Sequence, residues 1–399
     1  MEKFFNNFLK TNYFKFYLIL IFLFSVLLLS QKFLYPTDWT TSEWLINYQG
    51  GFVRRGLIGE LLLNIHDISA INLRYLVFYF EIIILLIFLL LIFNFLQNIY
   101  LNNLLIFLFF CPIFLIYPLA ENEVLVRKEY LLLSIYLFYL ILLLKNSYFI
   151  FLIILIFLPT MNLIWDGMIF YIFFFVFSFF CKKNLKNNEV MFFIFSFIPY
   201  LISLFFILIS KSDPIGFEKM CISINENCFG AMFALDKTLA WNIELITSRF
   251  KIEYLFTHLL IIILVFCPII FYSYYDSFKI NIGKFSIKKI LLKLNLILIA
   301  SIFVFMLIGY DWGRWINIGY SFLILTIFFL IKNLNIDFYK NKISLFFDKF
   351  LINNRRLFYL FFFCYTFTWN MKVIMTDDIG SFPYYRIITK SLKIIGSYI

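Results

Sequence analysis

The sequence predicts an all-α, polytopic transmembrane helical bundle, and three observations predict it. Hydrophobic residues make up 63% of the chain and charged residues only 14%, with a mean hydropathy of +0.93. A soluble domain carries roughly 25% charged residues, so this much apolar surface needs lipid as its solvent. The apolar residues also come in runs far longer than a strand, and many of the breaks between runs are short and lysine-rich.

Taken in order, about eleven runs reach the length of a short spanning helix, for which ~17–25 residues are needed. They fall at roughly 16–34, 74–95, 103–119, 129–145, 147–163, 167–181, 190–210, 254–275, 291–309, 316–332 and 356–371, within one integral membrane domain over 1–399. The first run has a basic leader (Lys3, Lys10, Lys15) and no small-residue cleavage site, so it reads as an uncleaved first helix. Between the first two runs lies a loop over 35–73, in which Leu57 to Ile65 has the pattern of an interfacial amphipathic helix. A second long loop covers 211–253. Its Cys221 and Cys228 can form a disulfide if the loop faces an oxidising compartment, whereas Cys111, Cys181, Cys267 and Cys364 sit in apolar runs as inert filler.

The net charge of +11 does not point to nucleic acid, because the lysines fall in short loops between apolar runs. Such loops stay in the cytoplasm. With a cytoplasmic N-terminus, the basic clusters around Lys182, Lys183 and Lys186, around Lys279, Lys284, Lys288, Lys289 and Lys293, and around Lys332, Lys340, Lys342, Lys349, Arg355 and Arg356 share the inner side. Most acids fall on the other side, which predicts a multi-pass protein of a bacterial inner membrane with its active face outward.

Five polar patches on that outer side carry the functional expectation. Asp38 and Glu43 follow the first run, where a carboxylate can take the proton of an acceptor hydroxyl. Arg54 and Arg55 sit among Gly50, Gly51, Gly56 and Gly59, and their planar guanidinium forks suit phosphate. Arg127 and Lys128 are a second phosphate-binding candidate, with Glu123 and Arg127 spaced to pair on one helical face. Asp166 stands between two closely spaced runs, and an acid at that depth is a site by default. Finally, Gly309-Tyr310-Asp311-Trp312-Gly313-Arg314-Trp315 interrupts two Ile/Phe-rich runs, with Asp311 and Arg314 three apart. Trp39, Trp44, Trp312 and Trp315, with Asp311, are the candidates for holding sugar rings, and Arg314 joins the phosphate-binding set. The chain has two histidines, His66 and His258, neither at metal-ligand spacing, so no protein-built metal site or cofactor is expected. A divalent ion held by carboxylates and substrate phosphates remains compatible with the residues. There is no Walker A loop.

At these residues the chain resembles the integral-membrane proteins of bacterial surface-polysaccharide loci, the O-antigen-polymerase-like enzymes and the wider GT-C class of glycosyltransferases. The likeness rests on the many runs, Asp38 after the first of them, NYQGGFVRRGLIGE and YDWGRW. It departs from many GT-C enzymes in lacking an Asp-Asp or Glu-X-Asp pair in the first outer loop and a large soluble C-terminal domain. The resemblance implies transfer of a sugar or oligosaccharide from a polyprenyl-linked donor to a glycan acceptor, with Asp38 as base and Glu43 or Asp166 in reserve. The rival class is a flippase or transporter of lipid-linked glycans. A transporter needs ionisable residues near midplane on several helices. Here Glu81 is the main charge within a run.

Overall fold

The structure, a computed structural model, describes residues 7–36, 39–101, 103–182, 185–209, 214–224, 226, 228, 230–237, 239–274, 281–282, 285–334 and 354–398. Asp38, Lys183, Lys279, Lys284, Lys340, Lys342 and Lys349 lie outside the described residues. Helix accounts for 77% of the structure, and the strands are two-residue hairpin pairs, Asn281–Ile282 with Phe285–Ser286 and Trp369–Asn370 with Gly380–Ser381.

Among the described residues five helices are long and apolar enough to cross a membrane: Asn12–Leu34, Leu73–Leu96, Asn187–Ile209, Ile252–Ile270 and Trp312–Asn333. The expected count of about eleven is not confirmed, and the reasons are local. The 103–119 run is a seven-residue helix, Asn103–Phe109, followed by turns and a four-residue helix, Tyr117–Ala120. Pro112 and Pro118 remove backbone donors there. The 147–163 run relaxes into a π-helical turn, Ile153–Phe157, just where Pro159 in Leu158–Ile164 deprives an upstream carbonyl of its partner. The 167–181 run keeps only nine α-helical residues, Ile172–Phe180.

The helices wrap around Trp312–Leu334. Its most apolar stretch is 89% buried, against 28–39% for the other four long helices, so they present most of their surface outward and it forms the axis. Glu129–Leu144, Ile172–Phe180, Ile252–Tyr274 and Ile287–Ile308 pack around it. An aromatic column fills the space beside it. Phe305 lies on Trp315 (4.4 Å between ring centres, 10° apart), Trp315 on Trp165 (6.3 Å) and Tyr171 on Phe322 (5.1 Å). Stacked rings give the core large buried area and a fixed geometry.

The two ends of the bundle differ. At one end Lys10 lies near the Tyr100 ring, Lys332 near Phe95, and Lys182 is bonded to Glu189 at 2.7 Å. The opposite end of the same helices carries both long loops with Glu43, Asp166, Asp311, Arg54, Arg55, Arg127 and Arg314, and there Lys32, Lys128, Lys372 and Lys390 also lie. There the Leu57–Ser69 helix buries Ile58, Leu62 and Leu63 and leaves Leu61, Ile65 and Ile68 exposed. Among its described residues the 211–253 loop folds as three helices, Pro214–Ile224, Phe233–Asp236 and Leu239–Arg249, with Cys221 and Cys228 joined in a disulfide. It clamps the first loop, because Gly216 meets Gly50 backbone to backbone and Glu226 binds Arg74 at 2.7 Å.

Candidate functional site

The segment leading to the arginine pair is fixed by short-range bonds. The Tyr48 N–H and the Gln49 side-chain amide each donate to Glu60 at 2.9 Å, so Glu60 secures the loop and is not a partner of the arginines. Gly59 is required because a Cβ there would run into the Ile46 carbonyl. The turn then forces Arg55 into the left-handed region at φ 69°. Non-glycine residues held in that region cost energy and cluster at functional sites.

Both guanidiniums turn onto one carboxylate. Arg54 Nη1 reaches Asp166 Oδ2 at 3.1 Å, and Arg55 Nε and Nη2 reach Oδ1 at 2.7 and 2.6 Å. The three side chains are 36%, 24% and 16% exposed. Two cations therefore share one anion, with all three side chains part-exposed. Burial works to raise the Asp166 pKa, but Arg55 and Arg54 outweigh it and hold the acid below its ordinary value. Beneath the pair, fully buried Lys128 donates to the Arg55 carbonyl at 2.8 Å and props the strained turn. Burial brings the Lys128 pKa down to about 7, a shift that nearby Glu43 only partly opposes.

A second cluster adjoins the first and is closed. Arg127 Nε binds Glu43 Oε2 at 2.6 Å, Arg314 Nη2 reaches Glu43 Oε1 at 3.4 Å, and Arg314 also binds Glu129. Arg314 Nη1 meets Asp311 at 3.1 Å, the i,i+3 pair suggested by their spacing. The side chains of Glu43, Arg127 and Arg314 are only 1%, 6% and 4% exposed. Burial pushes Glu43 upward, yet Arg127 and Arg314 overcome that and keep it well below the usual carboxylate range. The expected pairing of Glu123 with Arg127 does not occur. Residues 122–124 form a 3-10 turn and Val126 has φ 48°, so the two are not on one helical face.

The turn that carries Asp311 and Arg314 is zipped onto the C-terminal segment. The Gly313 N–H donates to the Val373 carbonyl and the Met375 N–H to the Tyr310 carbonyl, both at 3.0 Å. Any side chain at Gly313 would collide with the Lys372 carbonyl.

The tryptophans divide in the same way. Trp39 is half exposed and open to a sugar ring. Trp44 is buried and donates to Glu81 at 3.0 Å. Trp312 is buried and donates to the Met306 carbonyl at 3.0 Å, and Trp315 is locked into the aromatic column. The structure thus brings Arg54, Arg55 and Asp166 together, and separately Glu43, Arg127, Asp311 and Arg314. It places Lys128 between them.

Beside the closed cluster opens a cleft of about 650 Å³, lined by Lys32, Thr40, Glu121, Glu123, Lys372 and Lys390 among others. That volume falls within the ~300–1,000 Å³ of small-molecule sites. Sequence reasoning missed it. Lys32 was legible as a lone cation near the end of an apolar run, but Lys372 and Lys390 lie in a tail whose return to the first helix has no local signal. Among the described residues no group of three or more His, Cys, Asp or Glu side chains is placed to hold a metal ion.

No protein-family model, no curated protein and no solved structure matches the chain. What the fold defines is therefore a class: a helical membrane protein with a charged, loop-covered site at one end of its bundle.

Proposed function

We propose that the chain is a membrane glycosyltransferase of the polymerase-like, polyprenyl-dependent kind. It moves a sugar or oligosaccharide from a polyprenyl-diphosphate or -phosphate carrier to a hydroxyl of a glycan acceptor, at the outer face of a bacterial inner membrane. The observation that carries the reading is the part-exposed Arg54–Arg55 pair with a single carboxylate between them. A phosphate arriving there supplies the missing negative charge and meets two preorganised guanidinium forks.

In the reaction the bond from the sugar carbon to the phosphate oxygen breaks, and the phosphate keeps the electron pair. The acceptor oxygen bonds to that carbon and its proton passes to a carboxylate. Arg54 and Arg55 stabilise the charge on the leaving phosphate, the kind of effect that dominates such barriers. Glu43 is an unsuitable base because both of its oxygens hold guanidiniums. Asp166 is likewise engaged by the arginines. The base in this reading is Asp38, on the strength of its place in the sequence. Trp39 offers a flat surface to the sugar.

Orientation is read from the sequence, in which the basic clusters of the short loops face the cytosol by the positive-inside bias. The disulfide at the other end suits an oxidising compartment. A carrier for the same glycans is less well supported, since the charged clusters lie at one end of the bundle rather than at midplane on several helices.

Removal of the gene tests the reading. Surface glycan should fall to short or single units with the lipid-linked unit accumulating, and an Arg55→Ala protein that still inserts should reproduce that state. Normal glycan length in both strains would refute the proposal.

A further inference from the structure

We infer that the cleft lined by Lys32, Thr40, Glu121, Glu123, Lys372 and Lys390 binds a hydroxyl-rich ligand carrying one singly charged anionic group, a carboxylate or a phosphodiester. This goes beyond the transferase reading and stands without it, because the cleft contains neither arginine of the pair.

The three lysines keep donors for a ligand. Each ammonium has three N–H bonds. Lys32 gives one to the Leu125 carbonyl at 2.5 Å and Lys390 one to the Ala120 carbonyl at 2.7 Å. Lys372 lies 3.5 Å from Asp378, a carboxylate that is itself 64% exposed. Of the two glutamates, Glu121 is already neutralised by Arg386 at 2.5 Å and bonded by Asn370 at 3.2 Å. Glu123 is exposed and offers acceptor oxygens to hydroxyls.

Charge sets the ligand class. With Glu121 taken by Arg386 and Lys372 facing Asp378, the four cations Lys32, Lys372, Lys390 and Arg386 meet three carboxylates, Glu121, Glu123 and Asp378, so the cleft is cationic by one unit. A neutral ligand would leave that surplus positive charge uncompensated near low-dielectric walls, which is costly. A polyanion would be repelled by Glu123. One negative charge on a polyol satisfies both. The walls are also built rather than incidental. The 121–126 wall ends at Val126 with φ 48°, and the hairpin carrying Lys372 ends at Phe382 with φ 45°. A β-branched and a bulky residue at positive φ mark strain that the surrounding packing must hold.

The test uses the full-length protein in a neutral detergent and isothermal titration with a glucuronic-acid-containing disaccharide. Its neutral glucose counterpart serves as control, and phosphatidylglycerol in mixed micelles as competitor. The acidic disaccharide should bind at least about tenfold tighter than the neutral one, and Lys372→Gln or Lys390→Gln should each weaken it by about tenfold. Arg55→Ala should leave it unchanged, which separates this site from the proposed donor site. Lysine-dependent displacement by phosphatidylglycerol would assign the anion to a lipid headgroup, and its absence would assign it to the glycan. The Lys372 side chain is 29% exposed, so Lys372→Gln should keep the wild-type melting temperature. Equal binding of neutral and acidic disaccharides overturns the inference. So does wild-type affinity in both folded lysine variants, or binding of neither the acidic disaccharide nor phosphatidylglycerol.

Discussion

Two neighbouring arginine pairs sit at the same end of this bundle under opposite conditions. Arg127 and Arg314 face Glu43, Glu129 and Asp311, so the anions outnumber the cations and both side chains are sealed from solvent. Among the described residues Arg54 and Arg55 form ion pairs with Asp166 and remain part-exposed. The difference separates two uses of a guanidinium. In the closed cluster it joins the first loop, the Glu129–Leu144 helix and the Trp312–Leu334 helix into one unit. In the open pair two guanidiniums share one carboxylate, the feature on which the proposed donor site rests.

The comparison can be broken at the closed cluster first. Glu43→Ala leaves two buried guanidiniums short of a carboxylate, and removing one partner of a buried pair costs about 3–5 kcal/mol. A large fall in melting temperature in detergent should follow. An unchanged melting temperature would show that the cluster does not hold the fold together. At the open pair the effect should fall on chemistry instead. Arg55→Ala should raise the transfer barrier by about 2–4 kcal/mol, a roughly 10²–10³-fold loss of rate. Its melting temperature should move much less than that of Glu43→Ala, since part-exposed ion pairs contribute about 0–1 kcal/mol. Both are read from membranes supplied with lipid-linked glycan, alongside thermal unfolding.

Gly313→Ala sharpens the comparison by loosening one wall of the closed cluster. The new methyl must displace the Lys372 carbonyl, and overpacking of this kind costs about 1–3 kcal/mol. Thermal unfolding should show that loss.

The smallest effect is a pH dependence from Lys128, which lies between the two pairs. Its pKa is about 7 in the fold against about 10.4 in an unfolded chain. The unfolded chain therefore binds the extra proton between those values. The stability that Lys128 contributes is fully present above about pH 10.4, is lost as pH falls toward about 7, and is flat below. Lys128→Met should flatten the rise in melting temperature between pH 7 and 9. An identical slope in both proteins would place the titrating group elsewhere.

The all-α class and the positions of most apolar runs were legible from composition and run length. The number of spans was not, because Pro112, Pro118 and Pro159 break three-dimensional continuity without breaking hydropathy. Arg54, Arg55 and Asp166 could each be picked out as charges among apolar residues, but their convergence over 111 or 112 positions has no local signal. The i,i+3 pair of Asp311 and Arg314 was readable from spacing, whereas the i,i+4 pair of Glu123 and Arg127 failed because the backbone between them is not helical. The tryptophans misled in another way. An indole that stacks on sugar and one that packs a core have the same composition, and only burial separates Trp39 from Trp44, Trp312 and Trp315. The cleft was illegible because it is assembled from the first helix, the 121–124 turn and the C-terminal tail.

The central claim is that Arg54 and Arg55 grip a polyprenyl-linked phosphate, and its most direct test is equilibrium binding of geranylgeranyl diphosphate to the purified protein. Binding to the wild type should be saturable and should weaken at least about tenfold in Arg54→Ala and again in Arg55→Ala, with Lys372→Gln unchanged. Equal affinity in the wild type and both arginine variants, with all of them folded, would contradict it.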